Sequence, residues 1–155
     1  MGVLAQVFGS RAGIVLSFLS QKSHMLRWVV TNILARSPRP GYPSELVEQS
    51  SVDDWIEEVR SLGIKSIICF LAEDQLPFYS KLSGGLISHY RELGFNVEHI
   101  PARDYQSPPL TNADLMRVWE AYKALPKPLV IHCSAGIDRT GLAIQHIQRQ
   151  LELSA

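Results

Sequence analysis

His132-Cys133-Ser134-Ala135-Gly136-Ile137-Asp138-Arg139-Thr140-Gly141 holds a thiol and a guanidinium at the two ends of a short loop of mostly small residues. Five residues separate Cys133 from Arg139, enough for successive backbone N–H groups to curl inward into a nest that fits a tetrahedral oxyanion. Ala135 and Gly136 keep bulk out of the cup, and Gly136 can take a positive φ without steric cost. The apolar run Leu129-Val130-Ile131 before the loop reads as a buried strand, and Leu142 to Ile147 after it reads as a helix. The cup therefore sits on a helix N-terminus, where the backbone dipole favours negative charge. Thiols in such positions ionise near neutral pH and become nucleophiles. Arg139 adds a planar fork that matches two oxygens of one phosphoryl group, which a lysine cannot do. Nucleophile, anion cradle and charge clamp together imply phosphate-ester chemistry.

The run resembles the Cys-x5-Arg-[Ser/Thr] loop of the protein tyrosine phosphatase superfamily, with its flanking His and Gly. Upstream, Leu26 to Val30, Leu34 to Pro40 and Gly63 to Leu71 look like the opening of a small atypical dual-specificity phosphatase, so the resemblance covers about residues 26 to 150. It implies that Cys133 attacks phosphorus, that Arg139 binds the phosphoryl group and that Thr140 assists breakdown of a cysteinyl-phosphate. It also implies that His132 orients the loop and tunes the thiolate, with Ser134, Ala135, Gly136, Ile137 and Asp138 completing the phosphate loop. No metal and no organic cofactor is expected.

A leaving oxygen needs a proton, so a carboxylic acid should approach from a separate loop. Asp104, within Ile100 to Pro109, lies between a strand pattern and a helix pattern and is the first candidate. Glu73 and Asp74 follow another strand pattern, at the carboxyl end where open α/β sheets bind ligands. Either is a candidate to contact the arginine or a charge at the start of a helix, and Asp74 is the alternative acid. Asp138 departs from the usual residue in its slot. A carboxylate facing the cup would repel a phosphate dianion, so it is expected to turn away, toward a backbone N–H or a basic side chain. Asp-Arg-Thr endings also occur in phosphatases of inositides, but Ala135 and Ile137 stand where those enzymes often carry Lys.

The expected substrate is phosphotyrosine, with phosphoserine or phosphothreonine, in proteins. The alternatives are a phosphoinositide or other small phosphate ester, and a catalytically inactive phosphate-binding module.

Composition sets the bounds. At 155 residues the chain fits a single core, and 15 Lys+Arg against 15 Asp+Glu give no reason to invoke nucleic acid. Two cysteines make no disulfide framework, and no His/Cys cluster has metal-ligand spacing. A thiolate enzyme suits a reducing, cytoplasmic setting. Cys69, inside an apolar run, reads as an inert core thiol.

Strand patterns at Trp28 to Leu34, Ile64 to Leu71, Phe95 to Ile100 and Leu129 to His132 alternate with helix patterns at Ser51 to Arg60, Pro77 to Leu93 and Thr111 to Leu125. Such alternation predicts an α/β domain over residues 26–155, with a central, largely parallel sheet flanked by helices. Leu115, Val118, Trp119 and Tyr122 repeat at helical spacing and read as core. Arg36 and Arg39, in a Pro-rich turn, read as solvated charges, with help in admitting an anionic substrate as the alternative. The first 44 residues carry five bases and no acid, and residues 1–25 recur in apolar character near helical spacing. That segment is expected to be a helix packed on the domain. A presequence or a membrane-surface helix is the alternative, and would place the protein in mitochondria or at a membrane. The final helix has little chain beyond it, so the N-terminal segment or a second subunit of a homodimer is expected to cover it.

Overall fold

The computed structural model describes residues 26–155, so the expectations for residues 1–25 lie outside the described residues. The chain runs β1 (Arg27–Val30), β2 (Leu34–Ser37), α1 (Gln49–Ser61), β3 (Ser66–Cys69), a 3-10 turn (Leu76–Tyr79), α2 (Gly85–Glu92), β4 (Asn96–His99), α3 (Asn112–Ala124), β5 (Leu129–His132) and α4 (Asp138–Ser154). One five-stranded sheet has the order β1-β2-β5-β3-β4, with only β1 antiparallel to its neighbour. The α/β architecture with a mostly parallel sheet is the one expected from the alternation of patterns.

Strands β3 and β5 are buried along their whole length, which explains their unbroken apolar runs. Successive side chains point to opposite faces. Ile67, Cys69 and Leu71 join Val52, Trp55, Val59 and Tyr90 from α1 and α2 in one core cluster. Ile68, Phe70 and Ile131 join Val118, Tyr122, Ala143, Ile144 and Ile147 from α3 and α4 in the other. Leu115 and Trp119 pack on that second cluster, so the stripe on α3 is core. Cys69 and Cys133 are both free thiols and belong to different clusters. Burial pushes the Cys69 thiol up to about 12, which keeps it protonated and inert.

Three expected boundaries differ. Trp28 to Leu34 is not one strand but parts of two, joined by a turn in which Asn32 takes φ 63° and Ile33 N–H donates to the Val30 carbonyl at 3.0 Å. Asparagine tolerates this left-handed conformation because its side chain can bond locally. The segment Pro77 to Leu93 is broken into a 3-10 turn and α2, because Gly84 and Gly85 take consecutive positive φ values of 81° and 83°. Helix α1 starts ahead of Ser51, on the backbone of Glu48. Helix α3 opens as its sequence predicts, with a reciprocal capping box between Thr111 and Asp114.

The register of the sheet places the site. Ser37 pairs with His132, His132 with Cys69, and Cys69 with His99, so the carboxyl ends of β2, β5, β3 and β4 are level. Four loops leave that edge side by side, where open α/β sheets bind ligands. No helix among the described residues is long and apolar enough to cross a membrane.

Candidate active site

The loop after β5 forms the cup. Gly136 has φ 78°, and a Cβ built on it would lie 2.6 Å from the Ser37 carbonyl oxygen and 2.7 Å from Pro38 N. Only glycine allows the cup to rest on the backbone that leaves β2. That backbone holds it in turn: Arg39 N–H donates to the Ser134 carbonyl at 2.9 Å, and Arg36 Nη2 donates to the Gly136 carbonyl at 2.8 Å. Trp55 Nε1 donates to Ser37 Oγ at 2.9 Å and fixes the base of the contact. Arg36 and Arg39 are therefore not solvated turn charges. Arg39 is only 2% exposed, and its Nε donates to Ser134 Oγ at 3.1 Å. The sequence pattern showed bases in a Pro-rich turn, and their burial follows only from the pairing of β2 with β5.

Cys133 is buried at the end of β5, and Arg139 lies in the first turn of α4 with 1% exposure. The guanidinium is used asymmetrically. Nη1 donates to the Ala102 carbonyl at 2.6 Å, the Phe70 carbonyl at 3.0 Å and Gln75 Oε1 at 3.0 Å. Nε and Nη2 are buried and make no hydrogen bond. Nη2 stands 3.0 Å from Asp104 Oδ2, an ion-pair distance without hydrogen-bond alignment. Thr140 Oγ1, next in sequence, is also buried without a hydrogen-bond partner. Buried polar groups are nearly always satisfied, so these three atoms are the conspicuous exceptions beside the cup.

Asp104 comes from the loop after β4, with its side chain 25% exposed. Gln75 Nε2 donates to Asp104 Oδ2 at 3.3 Å, and Tyr105 N–H donates to Asp104 Oδ1 at 3.1 Å. Tyr105 takes φ 60° and is 93% exposed, an unusual conformation for a large aromatic residue. Strain of this kind gathers where a loop is held for a purpose.

Glu73 and Asp74, the candidates to contact the arginine, are exposed, and Asp74 stands on the rim of a cleft beside the cup. The contact belongs to Gln75. Its amide accepts from Arg139 and from Ala72 N–H while donating to Asp104, which a carboxylate could not do. No acidic pattern pointed to it, although it lies in the same strand-end loop. Asp138 is exposed in the first turn of α4, and among the described residues its side chain meets neither the backbone N–H nor the basic side chain expected for it. Ile137 is exposed and Ala135 half-buried.

His132 is fully buried between Trp55 and Tyr90. Its Nδ1 lies 3.1 Å from the Cys133 carbonyl oxygen, which can only accept, so Nδ1 carries the proton. Nε2 then accepts from the Tyr90 hydroxyl at 2.9 Å. Burial above all, with the charges of Arg139 and Arg39 adding, lowers the imidazole from 6.5 to about 4, against the opposing hydrogen bond to Cys133. It is neutral at pH 7 and orients the loop without contributing charge. In the folded state it resists protonation that the unfolded chain accepts, so its contribution to stability is complete above 6.5 and is lost as pH falls toward 4. The loss expected from this group is about 3 kcal/mol. Urea unfolding of the wild type and His132→Gln, at about pH 7 and about pH 4.5, checks it. The wild type should lose more stability on acidification, and equal losses would exclude the assignment.

The family model described as Tc-R-P, a DSP-PTPase phosphatase of polymorphic toxin systems, matches residues 44–149. The chain belongs to that family. The crystal structure of Tk-PTP in its active form is similar in fold, with a TM-score of 0.52 and 16% identity, over 81% of this chain and 83% of that one. No curated protein matches the chain. Within this DSP-PTPase phosphatase, the family match takes in Cys133, Arg139, Asp104 and Gln75, while Arg36 and Arg39 lie ahead of it. Among the described residues no group of three or more His, Cys, Asp or Glu side chains could hold a metal ion.

Proposed function

We propose that the protein hydrolyses phosphate monoesters through a cysteinyl-phosphate intermediate, acting on phosphotyrosine, with phosphoserine or phosphothreonine, in proteins. The observation that carries this reading is the divided arginine: Nη1 is tied to three acceptors, while Nε and Nη2, the two nitrogens of a bidentate fork, are buried and lack hydrogen bonds. Two phosphoryl oxygens satisfy both. The cup amides and the start of α4 take the remaining charge.

Chemistry then proceeds in two displacements. Cys133 Sγ forms a bond to phosphorus as the ester P–O bond breaks, and the leaving oxygen takes a proton from Asp104. Water next attacks phosphorus and gives a proton to the Asp104 carboxylate, the P–S bond breaks, and thiolate and orthophosphate result. Thr140 Oγ1 supplies a hydrogen bond to the departing sulfur. When phosphate takes Nη2, Asp104 exchanges its contact with Arg139 for the leaving oxygen, and Gln75 keeps it over the cup.

Asp104→Asn keeps the size of the side chain and one of its two acceptor oxygens, and removes the proton. Turnover of an alkyl phosphate should fall about a hundredfold or more. An unchanged rate would move the acid role elsewhere, with Asp74 the alternative. A second reading, a small phosphate ester, draws support from the buried cationic side chain of Arg39 beside the cup.

A further inference from the structure

Beside the cup lies a cleft of about 430 Å³, bordered by Arg39, Ser134, Gln75, Asp104, Phe78 and Arg103. Arg39 at its base is almost wholly buried, yet among the described residues no carboxylate lies within ion-pair distance of it. Its hydrogen bonds go to neutral acceptors: Nε to Ser134 Oγ, and Nη1 to the Ser44 carbonyl at 2.8 Å and to the Tyr79 hydroxyl at 3.4 Å. Nη2 makes none among the described residues. The rings of Phe78 and Tyr42 stand 4.7 and 5.5 Å from the guanidinium carbon and offset part of its desolvation.

A buried charge without a counter-ion is costly, and proteins seldom keep one without use. Of the three lining carboxylates, Glu45 and Asp74 are exposed and solvated and Asp104 is engaged by Gln75 and Arg139, so none of them neutralises Arg39. Arg39 is rigid, sits one hydrogen bond from the residue that follows Cys133, and has a second arginine, Arg103, on the same cleft wall.

We propose that this cleft is a second anion subsite, and that among small phosphate esters it selects those bearing another phosphoryl group beside the one hydrolysed. The proposal rests on the second reading above, the small phosphate ester, and deepens it. The scissile phosphate occupies the cup, and the second group meets Arg39 and Arg103. The site is then selective for bisphosphorylated over monophosphorylated small molecules, while the chemistry at Cys133 is common to both.

Inhibition of aryl phosphate turnover by methylphosphonate, and by methylene-, ethylene- and propylene-diphosphonate, tests this directly. At least one diphosphonate should inhibit the wild type about tenfold more tightly than the monophosphonate, the worth of one charge-assisted contact. In Arg39→Met that ratio should fall to about one, in Arg39→Lys to an intermediate value, and in Arg103→Gln by a few-fold. A merely structural role for Arg39 weakens both inhibitor classes by one factor and leaves the ratio unchanged, which overturns the proposal. So does a wild type with no preference for any diphosphonate. If Arg39→Met fails to fold, the ratios in Arg39→Lys and Arg103→Gln decide, and unchanged ratios in both overturn it. Calorimetric binding of the same compounds keeps the subsite separable from the reaction, because a protein that binds diphosphonates tightly but hydrolyses no ester refutes only the catalytic reading.

Discussion

Cys133→Ser should lower kcat for an aryl phosphate by roughly 10⁴-fold or more. The exchange replaces one atom in a buried position and leaves the cup, Arg139 and the fold in place. What it removes is the sulfur that attacks phosphorus. A serine would need a base, and none is within reach: the imidazole of His132 carries its proton on Nδ1 toward the Cys133 carbonyl, and its Nε2 accepts from Tyr90. Asp104 is engaged with Gln75 and Arg139 and serves the leaving group. The measurement is steady-state turnover alongside orthophosphate binding, which should persist because Arg139 and the loop amides remain. A loss of less than tenfold would remove Cys133 from the nucleophile role.

Arg139→Lys, which keeps the charge, should cost nearly as much, about 10³-fold in kcat/KM. A guanidinium can give Nη1 to the Phe70 and Ala102 carbonyls and to Gln75 while Nε and Nη2 face the substrate. A single ammonium cannot be in both places. If it stays with the three acceptors, the phosphoryl group loses its clamp. If it turns toward the phosphoryl group, the Ala102 carbonyl loses its donor and the Phe70 carbonyl and Gln75 Oε1 keep only Ala102 N–H and Ala72 N–H, and stability should fall by about 1–3 kcal/mol. Parallel kinetics and denaturant unfolding separate the two arrangements. Activity within tenfold of the wild type would show that the bidentate fork is not needed, and with it the central argument for the site would fail.

The differences between sequence pattern and structure follow range. Helix α3 was legible because the stripe from Leu115 to Tyr122 repeats within one element. The turn at Asn32 and the break at Gly84 and Gly85 were not, since single left-handed residues leave almost no mark on a periodic pattern. Gln75 escaped notice because attention to charge singled out Glu73 and Asp74, whereas the position required a group that both accepts and donates.

The sequence by itself determined the cup. The thiol, the small residues, the guanidinium and the helix start lie within ten consecutive positions, and local backbone geometry suffices to bring them together. Only the tertiary structure decided how the cup is held and what surrounds it. Arg139 meets Gln75 across 64 positions, Arg39 meets Ser134 across 95, and Arg36 meets Gly136 across 100. Those meetings depend on the register that levels the ends of β2, β5, β3 and β4. Strand pairing between distant segments is a global property of the packed sheet, so a base in a Pro-rich turn became a buried arginine at the foot of a cleft.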